Sequence, residues 1–284
     1  LSRANVRSLP AASSESPGGS STSQDSGAGD TFACETDDAT RGVGRDALWS
    51  RLEPEFFTHV TLGRLSAALE AAASPDTSGL RQLASPACHA YMLVAAGVGL
   101  EGTGAQRWLS EPSLGEQPSA EAMLCIGGRA VDERRWEDAG RWVDRIRTDA
   151  RATADTAEAR RRAAVAAALE TYVRWRRGDS EAWIPRSVRL ELDRGSSWPV
   201  RWWTGKMLAA AGRTEEAIEV FESFWWPAWV PAFLERAELS RKAGREAEAR
   251  ELYDVVLTAW ADADPAFGPL VERARAGLAG LSAP

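Results

Sequence analysis

The residue types that most often carry chemistry are few in this chain and do not cluster. Its two histidines, His59 and His89, have no Cys, Asp or Glu three or four residues further on, so neither begins a pair of metal ligands on one helix face. The paired carboxylates Glu215 and Glu216 stand where a helix is predicted to begin, and favourable interaction with the helix dipole accounts for them. We therefore predict no metal site and no acid/base pair.

The three cysteines fit no spacing known for metal binding or for a disulfide framework. Cys88 and Cys125 stand among apolar residues and are predicted to be small core residues, whereas Cys34 has no nearby histidine to activate it. An odd count argues against a secreted, disulfide-linked fold, so a reducing, cytoplasmic location is expected.

The glycine-rich run from Gly99 to Gly104 superficially resembles a phosphate-binding loop. It lacks the Lys followed by Ser or Thr that such a loop needs, and it follows a helical segment rather than a strand. No cofactor is expected. An all-helical enzyme remains a formal alternative, but no residue constellation supports it, and the chain is predicted not to be an enzyme.

Charge and composition exclude other classes of function. The chain carries 34 basic and 41 acidic residues, a net charge of −7, and has no basic block, so nucleic-acid binding is not expected. It also has no apolar run of about 18 residues that would predict a membrane helix. Residues 1–44 are rich in Ser, Gly, Ala, Thr and Asp and are predicted to be a disordered linker. Since the chain begins with Leu1, we expect a processed product or a piece of a longer protein.

The ordered part is organised around one pattern that occurs twice, 32 residues apart. The first copy runs through Gly205, Gly212, Ala217 and Phe221, and each position has a counterpart in the second copy, at Ala237, Gly244, Ala249 and Tyr253. A period in the low thirties is typical of stacked helical hairpins. Gly212 and Gly244 fit the residue just after a helix end, where positive φ is common. A glycine at 205, inside a helix, is best explained by close packing of a neighbouring helix.

Weaker copies extend the pattern in both directions and give an all-α chain. Residues 119–149 keep the step of twelve residues from Gly127 to Ala139, residues 156–177 predict one long helix, and residues 45–118 predict degenerate helical hairpins. Asp264 and Pro265 predict the start of a last helix, whose apolar face would cap the array. Residues 119–284 are thus predicted to form repeats with a C-terminal capping helix.

This pattern resembles the tetratricopeptide repeat (TPR), which also separates its small residue from its Ala by twelve residues. The resemblance is good over about 60 residues and weaker over about 30 more. The copies depart from the family in their period of 32 instead of 34 and at five positions, Arg201, Thr204, Leu208, Ser240 and Ala130. The resemblance implies antiparallel helical hairpins stacked as a TPR-like α-solenoid. The alternative is two unrelated antiparallel hairpins in an ordinary helical bundle.

Tryptophan is the other unusual feature of the composition. Six of the 13 tryptophans lie between Trp198 and Trp229. Most of them are explained as large core residues between hairpins. Adjacent tryptophans on a helix, such as Trp202 and Trp203, point about 100° apart. At least one of each pair is therefore expected to reach a groove or a domain contact.

The TPR resemblance also implies a binding surface. In that family the concave groove is lined three residues before the small position and one and four residues after it. On this chain those positions are Trp202, Lys206 and Ala209 in one repeat and Leu234, Glu238 and Arg241 in the next. The alternative is a solvated face with a partly exposed tryptophan.

Two functions follow from these expectations. One is a protein-interaction scaffold that binds a peptide or protein segment on its concave face. The other is a regulatory or sensor tail of a larger bacterial signalling protein, such as a kinase, a cyclase or a transcriptional activator. The two are compatible, and the region upstream of Leu1 would distinguish them.

Overall fold

The structure is a computed structural model that describes residues 58–68, 84–100, 119–193, 198–224 and 229–281. Its regular secondary structure within these ranges is helical, which confirms the predicted all-α class. The helices are α1 (Ala84–Ala96), α2 (Ala120–Asp132), α3 (Trp136–Ala152), α4 (Thr156–Arg176), α5 (Arg186–Asp193), α6 (Trp198–Ala210), α7 (Thr214–Glu222), α8 (Val230–Lys242), α9 (Glu246–Ala259) and α10 (Gly268–Ala279). A 3₁₀ turn, Pro265–Phe267, precedes α10, and two short helical stretches lie within 58–68. The predicted linker 1–44 and most of 45–118 lie outside these ranges.

Six of the described helical segments end with the same hydrogen-bonding pattern. At the end of α6, the N–H of Gly212 donates to Ala209 and that of Arg213 donates to Leu208, and Gly212 has φ +74°. This is the Schellman arrangement, which satisfies the last carbonyls of a helix. The same pair of bonds recurs at five other turns, those at residues 63–64, 97–98, 134–135, 178–179 and 244–245. The positive φ predicted for Gly212 and Gly244 is confirmed, and the chain reuses one turn.

Small residues let successive helices approach closely. A Cβ on Gly205 would lie 2.6 Å from Cζ of Phe221, so α7 packs directly on the backbone of α6, as predicted for this glycine. Gly127 in α2 has the side chains of Leu169 and Trp142 in the equivalent space. Each helix from α2 to α9 also contacts the next one along the chain. The small position of each pattern therefore sets the distance between the packed helices.

The second half of helix α1 is part of the core. Tyr91, Met92 and Leu93 are all buried, and α1 contacts both α2 and α6. A disulfide joins Cys88 in α1 to Cys125 in α2. The prediction that these two cysteines are separate core thiols is therefore wrong; both are buried, but they are bonded to each other. A separation of 37 residues is not a signature of pairing, and the packing of α1 on α2 brings the two together.

The beginning and the end of the described chain meet. The N–H of Asp264 donates to the carbonyl of Gly63 at 2.9 Å, and the Asp264 carboxylate accepts from the N–H of Ser66 at 2.8 Å. The N–H of Gly99 also donates to the carbonyl of Ala266 at 3.0 Å. The turn before α10 thus holds two N-terminal segments, and Asp264 stabilises the start of a helical stretch other than its own.

The last helix buries the apolar face that its sequence predicts. The face consists of Phe267, Leu270, Val271, Ala274 and Leu281, all buried, with Leu278 partly buried against the core. Packing on α9 accounts for part of this burial, and the approach of Gly97 to Leu270 adds the N-terminal segment. The helix therefore packs on both α9 and the turn that follows α1.

Candidate functional site

Two of the predicted binding residues lie in the core. Trp202 is 2% exposed and Leu234 is 1% exposed, so neither can present its side chain to a partner, and the prediction that they line an open groove is wrong for both. Lys206 and Glu238 are partly exposed and Arg241 is exposed. For these three residues a role in binding stays a prediction.

The tryptophan pair on α6 is buried on two sides of one helix. Trp203 stacks on Tyr172 of α4, with ring centroids 4.1 Å apart, and its Nε1 donates to the Tyr91 hydroxyl of α1 at 3.0 Å. Trp202 makes edge contacts with Phe221 and Trp229 instead. The expectation that one ring of the pair would reach a groove is wrong, because α1 covers the side of the helix that would otherwise be open.

Ion pairs connect α6, α8 and α10 through Lys206, Glu235, Arg273 and Glu238. These four residues, together with Arg241 one turn further along α8, are called the charged strip. Glu235 pairs with Lys206 at 2.9 Å and with Arg273 at 3.3 Å. Arg273 binds Glu238 through both Nε and Nη2, at 3.1 and 2.9 Å. Arg241 follows Glu238 by three residues, or about one turn, on α8.

The cations of the charged strip lie further out than its carboxylates. The side chain of Glu235 is 8% exposed and that of Glu238 is 27% exposed, whereas Lys206 and Arg273 are 38% and 37% exposed. The ammonium of Lys206 also lies 5.9 Å from the centroid of the Trp202 ring, which favours a cation at that position. The strip therefore presents mainly positive charge to solvent, although the whole chain is net acidic.

A second polar cluster lies where α1, α2, α4 and α6 meet. The carboxylate of Asp132 accepts one hydrogen bond from the hydroxyl of Tyr172 at 2.6 Å and another from that of Tyr91 at 3.0 Å. Arg176 lies 3.4 Å from the same carboxylate, and Tyr91 accepts from Trp203. A Cβ on Gly128 would lie 2.6 Å from the Trp203 ring, so the glycine makes room for this cluster. Its hydrogen-bonding groups satisfy one another, which indicates a structural role.

Burial governs protonation in this cluster. It raises the pKa of the Asp132 carboxyl, although the hydrogen bond from Tyr172, the charge of Arg176 and the hydrogen bond from Tyr91 oppose that change. Burial also raises the pKa of Tyr91 and of Tyr172 well above the ordinary value for a phenol. Both phenols therefore keep their protons at neutral pH and donate them to the carboxylate.

Of the residues first considered for chemistry, Cys88 and Cys125 meet, and they do so as a disulfide. Within the ranges that the structure describes, no group of three or more His, Cys, Asp or Glu side chains could hold a metal ion. Cys88 and Cys125 are consumed by the disulfide, and a disulfide is typical of proteins that mature in an oxidising environment. The expected cytoplasmic location rested on free thiols and so loses that support. No described helix has the length and apolarity needed to cross a membrane.

Comparisons with known proteins leave the chain without a match: no family model, curated protein or solved structure corresponds to it.

Proposed function

We propose that the chain is a TPR-like helical-repeat protein that binds an acidic segment of a partner protein along the charged strip. The observation that carries the proposal is the connected series of charges on α6, α8 and α10. Lys206 and Glu238 occupy groove positions by resemblance to the family, and ion pairs link them through Glu235 and Arg273.

The cations of the charged strip are more exposed than its carboxylates, which favours an acidic partner. The carboxylates of the strip lie deeper and are engaged by Lys206 and Arg273, so they hold the cations in place. The outer surface then offers ammonium and guanidinium groups to an incoming segment. Arginine is also among the residues most often found to dominate binding energy at interfaces.

The repeated turns support the TPR-like arrangement. The Schellman turns at residues 178–179, 212–213 and 244–245 recur at intervals of 34 and 32 residues; the second interval equals the period of the sequence pattern, and the first equals that of the TPR family. Gly205 packs against Phe221 sixteen residues later, as expected for the two helices of one repeat. An array of this kind would display equivalent side chains from successive repeats on one surface.

The test is selection of binders from a random peptide library on the whole chain, followed by affinity measurement with variants. Arg241→Glu changes an exposed residue in the last turn of α8. Arg151→Glu is the matched control, because Arg151 is an exposed residue in the last turn of α3 and its loss affects the helix dipole equally.

We expect acidic peptides whose affinity falls about tenfold with Arg241→Glu, as for loss of one good charged contact, and is unchanged with Arg151→Glu. Raising the ionic strength should weaken binding, since the contacts are exposed. Selection of basic or uncharged peptides would contradict the proposal, as would an equal loss of affinity in both variants.

A further inference from the structure

A cleft between α5, α6 and α7 is separate from the charged strip. It consists of two adjoining cavities of about 130 and about 180 Å³, and both are lined by Arg189, Thr204 and Val220. Leu192 and Val200 add apolar walls to the smaller cavity. Thr204 precedes Lys206 by two residues on α6, which corresponds to about 200° around a helix, so the cleft and the strip lie on different sides of α6.

Arg189 brings an unsatisfied donor to this cleft. Its Nε is buried and has no hydrogen-bond partner. A buried donor on a charged group is costly to leave without an acceptor, and a bound water, ion or ligand can supply that acceptor. The Arg189 Nε therefore calls for a hydrogen-bond acceptor in the space where the two cavities adjoin.

Neighbouring polar groups on the walls already have partners. The Thr204 hydroxyl donates to the carbonyl of Val200 at 2.7 Å, and the Ser223 hydroxyl donates to that of Val220 at 2.6 Å. Arg201 donates to the carbonyl of Ser223 at 3.0 Å. These bonds hold the wall in shape and leave Arg189 to recognise a ligand.

The charges around the cleft favour an anion. Arg189 and Arg201 both line the smaller cavity, and no described carboxylate does so. Glu216 and Glu219 line the larger cavity, but Glu216 is engaged by Arg213 in an ion pair of 2.5 Å. The hydrogen bond from Arg213 lowers the pKa of Glu216, to which the charge of Arg189 also contributes. An incoming anion is thus directed to the smaller cavity.

We propose that this cleft binds a small carboxylate with a short apolar chain. The carboxylate accepts from Nε of Arg189, in the charge-assisted geometry that guanidinium groups favour. The apolar chain lies against Leu192, Val200 and Val220, because ligand sites combine mostly apolar walls with a few polar groups that fix orientation. The cavity of about 130 Å³ has room for a short branched chain.

The test is calorimetric or NMR titration of the whole chain with isovalerate, with 3-methylbutan-1-ol as the neutral probe of the same shape and with inorganic phosphate as the anion without a chain. Arg189→Gln removes the charge and the Nε donor. Arg186→Gln is the matched control, because Arg186 is exposed on the same short helix and lines neither cavity. Circular dichroism verifies that both variants keep the fold.

We expect saturable binding of isovalerate that falls about tenfold or more with Arg189→Gln and is unchanged with Arg186→Gln, as for a hydrogen bond to a charged group. The alcohol should bind more weakly than the acid. No saturable binding of isovalerate or of N-acetyl-leucine would overturn the proposal, as would equal binding by the Arg189 variant, or phosphate binding as tightly as the acid.

A carboxylate of this kind can come from a free acid or from the C-terminal residue of a peptide. N-acetyl-leucine represents the second source, and N-acetyl-leucine amide is its control without the carboxylate. Preference for isovalerate supports the proposal with a free acid as ligand, and preference for N-acetyl-leucine over its amide supports it with a chain terminus. Equal binding of N-acetyl-leucine and its amide would overturn the role of the carboxylate.

Discussion

A few single residues determine how closely the helices of this chain can pack. Gly205 allows the Phe221 ring to pack on the backbone of α6, and Gly128 does the same for the ring of Trp203. Asp132 acts through hydrogen bonds instead, since it accepts one from each of two helices that are distant in sequence. The stability of the fold therefore depends on a few positions with narrow steric or polar requirements.

Two glycines inside helices should respond oppositely to alanine. Gly205→Ala would place a Cβ 2.6 Å from the Phe221 ring and should lower the free energy of unfolding by about 1–3 kcal/mol. Gly140→Ala is the control, because a Cβ there meets nothing within 4 Å in α3; it should raise the free energy of unfolding by about 0.5–1 kcal/mol. Urea denaturation measures both. Equal effects would contradict the packing of α7 on Gly205.

Asp132 should make the pH dependence of stability measurable. Because its pKa is raised in the folded protein, the folded state holds the proton more tightly than the unfolded state. Its contribution to stability is therefore full at acidic pH and declines as pH rises from the ordinary Asp range through the raised pKa.

Comparison of the wild type with Asp132→Asn isolates this effect, since other carboxylates titrate equally in both. The advantage of the wild type over the variant should shrink as pH rises through that window. Denaturation curves at a series of pH values give the difference. If the difference in free energy of unfolding stayed constant or grew with pH, the pKa of the Asp132 carboxyl would not be raised in the folded protein.

Sequence patterns predicted some of these residues and missed others for a physical reason. Close packing on Gly205 followed from the cost of a glycine inside a helix, and Phe221 provides it. The groove assignments of Trp202 and Leu234 failed, because spacing along one helix does not show which other segments cover its faces. The bond between Cys88 and Cys125 and the cluster around Asp132 depend on contacts with α1, which no local pattern reports.

At the scale of elements, one turn is used between many helices. Gly178, Gly212 and Gly244 adopt positive φ at this turn, and Arg134 adopts it as well, with φ +59°. The turn at Arg134 occupies the equivalent place in the copy that contains Gly127. The repeated pattern predicted this conformation at Gly212 and Gly244, whereas an arginine in the same place gives no such signal. The long helix predicted over 156–177 ends one residue earlier in the structure.

Replacing Arg134 with glycine should stabilise the protein, because a residue with a Cβ is strained in the left-handed region. Arg134→Gly is expected to raise the free energy of unfolding by about 0.5–1 kcal/mol. The neighbouring Arg135→Gly is a control, since it removes the ion pairs of Arg135 with Glu133 and Asp138 without relieving a positive φ, and it should not stabilise. Lower stability of Arg134→Gly than of the wild type would contradict the strain.

The disulfide should contribute strongly to the attachment of α1. Closing a loop of 37 residues is worth about 3–4 kcal/mol in the chain-entropy account. Reductant should therefore lower the melting temperature of the wild type. The Cys88→Ala/Cys125→Ala double variant should melt at the lower temperature with or without reductant. A wild type that melts at the same temperature in both conditions would show that the bond is not formed.

At the scale of the molecule, the described chain is joined end to end. The segment 58–68 is bonded to the turn before α10, and α1 covers the inner side of α6. The surface that an open array would offer to a partner is thus partly filled by the chain itself. In the proposed function this leaves the charged strip on α6, α8 and α10 as the binding surface.

The central claim is that a partner segment binds on the charged strip, and the chain's two lysines allow a direct test. Lys206 belongs to the strip, and the exposed Lys242 does not. The rates of reductive methylation of both lysines would be measured by mass spectrometry with and without a saturating acidic peptide from the library selection. The peptide should slow the modification of Lys206 several-fold and leave the rate at Lys242 unchanged. An unchanged rate at Lys206 in the saturated complex would contradict it.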